Sequence, residues 1–162
     1  MKAPIPGAFL QPAKNEERTK MDLKKDYGTD RDLVKEGVWV PFDDCSILIA
    51  YANDANTNYE KAIARYTGPH QKKIQSNKAM RRAENRKVIN EAIVAAYADS
   101  VVLGWKNLQL GGKDLEYSKA TCKEILLDFP EFFAEIREFA LEFSNFQSED
   151  SQESEEISEK NL

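Results

Sequence analysis

One histidine and two cysteines in 162 residues leave little from which to build a metal centre or a nucleophilic dyad. Zinc needs four ligands at characteristic spacing, and Cys45, His70 and Cys122 stand far apart with no partners beside them. Two cysteines also make no disulfide framework, so free thiols in a reducing cytoplasm are expected. Glycine and proline are sparse, at 7 and 6. No phosphate-cradling loop is present, because Gly111-Gly112 is not followed by the required Lys-Ser/Thr pair. No apolar run approaches the ~18 residues of a membrane span. The opening "MKAPIPGAFLQPAKNEERTK" lacks the apolar block and small-residue cleavage site of a secretory signal. It reads as a flexible, mildly basic arm over residues 1–21. No cofactor, no metal and no enzymatic activity are expected.

What is present suits one globular domain with tails: 41% apolar and 31% charged residues. The net charge of −5 is unevenly spread. Residues 147–162, "QSEDSQESEEISEKNL", hold six acids against Lys160, which by itself equals the charge of the whole chain. The body is therefore near neutral, and the tail is too polar to fold alone. A disordered, solubilising or partner-facing segment is expected there.

Between the ends, "VWVPF" and "ILIAY" have the β-branched and aromatic density of strands. Asp43-Asp44 lies between them, so a β-hairpin is predicted over residues 37–52, with Pro41 tolerable only on an edge strand. Thr57-x-x-Glu60 reads as a capping box opening a helix that Gly68-Pro69 stops. A short helix over 70–76 and a long one over 80–103 follow. The long one is polar in its first half and apolar nearly all round in its second, as if one end stood in solvent and the other in the core. Gly111-Gly112 predicts a small hairpin. Ser118 is placed to cap a helix over 119–128, and Pro130 to open a last one over 130–146. The predicted fold class is mainly α with a small N-terminal β-hairpin, an α+β domain spanning residues 22–146.

Three constellations could carry function. Asp54-x-Asn56-x-Asn58 copies the opening of a calcium-binding EF-hand loop, but Tyr59 and Arg65 occupy the positions that need Gly and Glu. Calcium is excluded, and the patch reads as the lead-in to a helix. Asp43 and Asp44, adjacent on a turn, diverge into water rather than converge on a substrate. Arg65, Lys72, Lys73, Lys78, Arg81, Arg82, Arg86 and Lys87 face only Glu84. Without interleaved aromatics this is no nucleic-acid stripe. It is a solvated helix face or a docking surface for an acidic partner, the protein's own tail included. Finally, Phe132, Phe133, Ile136, Phe139 and Phe143 repeat at helical spacing. Such a stripe is either core or an interface for an apolar client or sister subunit. Trp39 and Trp105 invite the same two readings.

The order of "EGVWVPFDD", "NYEKAIARYTGPHQKKIQ", "AAYADSVVLGWKNL" and "YSKATCKEILLDFPEFFAEIREFA", followed by an acidic tail, resembles the tail assembly chaperones of long-tailed bacteriophages. The resemblance covers residues 22–146 and includes no catalytic signature. It implies a non-enzymatic protein that coats the tape measure protein in the cytoplasm of the infected host and recruits tail tube protein. It also implies self-association, no nucleic-acid or membrane partner, and absence from the mature virion. Phe132, Phe133, Ile136, Phe139, Phe143, Arg81, Arg82 and Trp39 are the candidate partner contacts. A longer product by ribosomal frameshifting is a further implication, and Glu159-Lys160-Asn161 can be encoded as a slippery A-AAA-AAC. The alternative function is a minor tail or connector subunit of the virion.

Overall fold

The computed structural model describes residues 20–148. The arm expected over 1–21 and the tail expected over 147–162 fall mostly outside them. Ahead of the hairpin, two short helices form: α1 (Leu23–Tyr27) and α2 (Arg31–Glu36). Each is capped by an aspartate. The Asp22 carboxylate accepts from the Lys24 and Lys25 amides, and Asp30 from those of Asp32 and Leu33. Gly37 ends α2 at φ 87°, where a side chain would be strained and would crowd the Ile49 carbonyl at 3.1 Å.

The expected hairpin follows as β1 (Val38–Phe42) and β2 (Cys45–Ile49), paired antiparallel with Val40 opposite Ile47. Asp43 makes the turn in the left-handed region at φ 51°, which aspartate tolerates better than most residues. β1 is an edge strand, so Pro41 deprives no neighbour of a donor.

Helix α3 (Thr57–Thr67) begins where expected but is capped one residue earlier. The fully buried Asn56 accepts from the Asn58 amide through its side-chain oxygen, and its Nδ2 donates to the Tyr51 carbonyl at 3.0 Å. Thr57 is the first helical residue, so the capping box does not form. A 3₁₀ turn (Gly68–His70) and two single-turn helices, α4 (Gln71–Ile74) and α5 (Asn77–Met80), lead to α6 (Ala83–Ser100).

The predicted long helix is too long at its C-terminal end. Val102–Lys106 is β3, which adds to β2 as the third strand of an antiparallel sheet ordered β1-β2-β3. Ile47 pairs with Trp105 and Leu48 with Gly104, and a bulge leaves Leu103 as the extra residue. An apolar run with β-branched Val101 and Val102 contains no helix stop of its own. The free edge of β2 selects the extended form. The Gly111-Gly112 hairpin forms as expected from β4 (Gln109–Leu110) and β5 (Lys113–Asp114).

Ser118 caps α7 (Lys119–Asp128), and Pro130 opens α8 (Pro130–Leu141). This last helix is shorter than expected. Glu142 turns extended, its carboxylate accepts from the Ser144 amide at 3.3 Å, and a 3₁₀ turn spans Phe143–Phe146.

The inner face of the sheet (Val40, Ile47, Ile49, Val102, Trp105) packs against Val94, Tyr97 and Ala98 of α6, Cys122 and Leu126 of α7, and Phe133, Ile136 and Ala140 of α8. A second, smaller cluster ties the two ends of the domain together. Tyr51 stacks on Phe146 at 4.7 Å, and Val34 is buried with them. The Asp30 amide donates to the Phe146 carbonyl at 2.8 Å. Gln147, placed by sequence in the tail, is buried, and its amide nitrogen donates to the Asp26 and Lys25 carbonyls.

Candidate functional site: an open sheet face and two charged surfaces

The alternation of a strand sends Trp39 to the face opposite Val40. There it shares the outer side of the sheet with its cross-strand neighbour Leu48 and with Gly104 beyond it. A methyl built on Gly104 would lie 3.8 Å from the indole edge and 4.0 Å from the Leu48 Cβ, so the ring extends over the space a side chain would fill. The Lys106 ammonium sits 4.0 Å from the indole centroid, within cation–π range. Trp39 remains 43% exposed.

The aromatic stripe of α8 divides. Phe133 and Ile136 are buried in the main core, with Phe133 edge-on to Tyr97 at 5.0 Å. Phe132 and Phe139 are half-buried against that core, Phe132 edge-on to Phe42. Phe143 lies beyond the helix and stacks on Tyr27 at 6.1 Å. Phe133 and Ile136 therefore hold the fold and are not available as contacts. Phe129 and Leu141, at the two ends of α8, are the exposed apolar residues of this region. Trp105 is likewise inside, its indole nitrogen donating to the Leu115 carbonyl at 2.7 Å.

Asp99, near the C-terminal end of α6, collects three donors from two other helices, α3 and α7. Lys119 Nζ reaches one carboxylate oxygen at 2.7 Å, while Arg65 and the Tyr66 hydroxyl reach the other at 3.3 Å. The Lys119 hydrogen bond holds this carboxyl below the usual range against the opposing pull of burial, with smaller help from the Lys119 charge, Tyr66 and Arg65. Asn58, Lys61 and Tyr117 line the same shallow cleft. The carboxylate is already fully engaged. Its evident role is to join α3, α6 and α7. Sequence reading passed over it, although an aspartate inside "VAAYADSVVL" is the kind of isolated charge that needs a partner.

Neither thiol is activated. Burial pushes Cys122 up to about 12, and burial with the Asp43 charge raises Cys45. Asp43 and Asp44 are exposed on their turn. Among the described residues, no three His, Cys, Asp or Glu side chains gather where they could hold a metal ion, and no helix is long and apolar enough to cross a membrane.

The basic residues form a collar at the far end of the helices. Lys72 and Lys73 lie on α4, Lys78 on α5, Arg81 and Arg82 in the break before α6, and Arg86 and Lys87 in its first turns, all exposed. Arg86 is structural: its guanidinium donates to the Met80 and Arg81 carbonyls at 3.0 and 2.6 Å and closes the break. Among the described residues both ion pairs end on Asp99, so no collar cation has a carboxylate partner there.

No curated protein and no solved structure matches the chain. The model of one family, described as YdaY prophage protein, matches residues 53–157. That span runs from the turn before α3 through every later element and well into the acidic segment, and it leaves out the β1–β2 hairpin. It covers well over half of the 162 residues, and the chain belongs to the YdaY prophage protein family.

Proposed function

We propose that this phage-derived protein is a tail assembly chaperone. It binds the tape measure protein in the cytoplasm of the infected cell, keeps it from aggregating, and supports assembly of the tail tube around it. It works in many copies and makes or breaks no bond. The observation that carries this reading is the open outer face of the sheet. Trp39 over Gly104 and Leu48, with Lys106 on its ring, offers a rigid amphipathic contact of the type that dominates protein recognition. A long, partly apolar helical client needs a small domain with an apolar contact and a charged exterior, and the chain has both.

Co-expression with the tape measure protein of the same prophage tests it. The client is expected in the soluble fraction only when this protein is present, and Trp39→Ala, folded by circular dichroism, is expected to lose that effect. A Trp39→Ala variant that solubilises the client normally would remove the sheet face from the proposal. Stoichiometric copies in purified mature particles would assign the protein to the virion as a connector or minor tail subunit instead.

A further inference from the structure

We infer that the basic collar at the start of α6 is the docking site of the chain's own acidic segment, residues 149–162, and that this segment shields the collar from other polyanions. The inference does not depend on the chaperone reading.

The collar is arranged against the stability of its own helix. The N-terminus of a helix carries partial positive charge and favours anions. Here Arg81, Arg82, Arg86 and Lys87 crowd the start of the 18-residue α6, with Glu84 alone to oppose them. Arg82 occupies the N-cap position, and no side chain accepts from the first amides. Among the described residues Arg81, Arg82 and Lys87 have no carboxylate partner and the first amides no side-chain acceptor, and both features favour carboxylates. Over residues 71–90 seven cations against Glu84 leave +6, and the segment from Gln147 onward carries six acids against Lys160, or −5. The three acids farthest along the segment, Glu155, Glu156 and Glu159, offset about half of that charge.

The lengths also agree. Ser148 follows Gln147, which is pinned to α1, and Phe146, which is stacked on Tyr51. Tyr51 adjoins Ala50, whose amide donates to the carbonyl of Val101 at the end of α6. The collar therefore lies about one length of α6 away, roughly 27 Å for 18 residues. From Ser148 to Glu159 an extended chain spans up to roughly 37 Å. Glu156 and Glu159, and Glu155 with the added length of its side chain, come within reach of the collar, whereas Glu149 and Asp150 are too near the start.

Zero-length carbodiimide cross-linking of the full chain, which joins carboxylates to amines in direct contact, tests the docking. Peptide mass spectrometry is expected to find Glu155, Glu156 or Glu159 joined to Lys72, Lys73, Lys78 or Lys87, in monomers and with a yield independent of protein concentration. Salt at 0.5 M is expected to lower that yield about tenfold, since exposed ion pairs are screened. The exposed double variant Arg81→Glu/Arg82→Glu is expected to reduce it several-fold. Links mainly to Lys24, Lys25 or Lys35, links found only in dimers, or no links would overturn the inference. The shielding has its own readout on immobilised heparin. A full-length variant with the six tail acids changed to amides is expected to elute at clearly higher salt than the natural chain, and equal elution would overturn that part.

Discussion

Asn56 shows how much one side chain decides. Both ends of its amide are used in a fully buried position, the oxygen as the cap of α3 and the nitrogen as a donor to the Tyr51 carbonyl. Aspartate caps helices as well as asparagine does, but it cannot donate to Tyr51. Asn56→Asp is therefore expected to cost about 2–3 kcal/mol, read as a lower urea midpoint with an unchanged slope; wild-type stability would show that the donor is dispensable. Asp99 acts through charge. Its folded pKa lies below the unfolded one, so its contribution is complete above the unfolded value and lost as pH falls through the folded value. Because Arg65 and Lys119 are mostly exposed, that contribution is discounted to about 1 kcal/mol. Asp99→Asn is expected to unfold more easily than wild type at pH 6, with the gap shrinking as pH falls below the unfolded carboxyl value. A gap that stays constant as the pH is lowered would contradict this.

At the scale of elements, α8 separates a core stripe from a contact surface. Phe133 touches Tyr97 in the middle of the main cluster, and a buried charge there has no partner. Phe133→Asp is expected to leave no cooperative unfolding transition, whereas a folded variant unable to bind client would restore the interface reading. The same comparison shows what was legible locally. Ser118, Pro130 and the Gly111-Gly112 hairpin act where the sequence places them, because cap and turn chemistry operates within a few residues. β3 was not legible. Helix and strand share the apolar run from Val94 to Trp105, and only pairing with β2 distinguishes them. The short helices α1 and α2 carried Asp caps and glycine ends in sequence, but at 5 and 6 residues they are too brief to show a period. The Val34, Tyr51 and Phe146 cluster holds α2, while the Gln147 side chain and the Tyr27–Phe143 stack hold α1.

For the whole molecule, that second cluster is the closure joining the start of the domain to its end. Phe146→Ala removes the ring stacked on Tyr51 and is expected to raise amide exchange across residues 22–36 well before it affects the main core. Uniform acceleration would mean that the two clusters unfold as one. The closure also sets where the acidic segment leaves, at the opposite end of α6 from the collar, so charges distant along the fold are matched in reach.

The sequence by itself determined the hairpin, the helix starts at Ser118 and Pro130, and the split between a neutral body and an acidic end. These follow from propensity, capping and charge, which depend on near neighbours. The tertiary structure alone decided that Val102–Lys106 is a strand, that Phe133 faces inward while Trp39 faces outward, and that Asp99 joins three helices. Each of these depends on partners distant in the chain, and periodicity carries no information about which partner arrives.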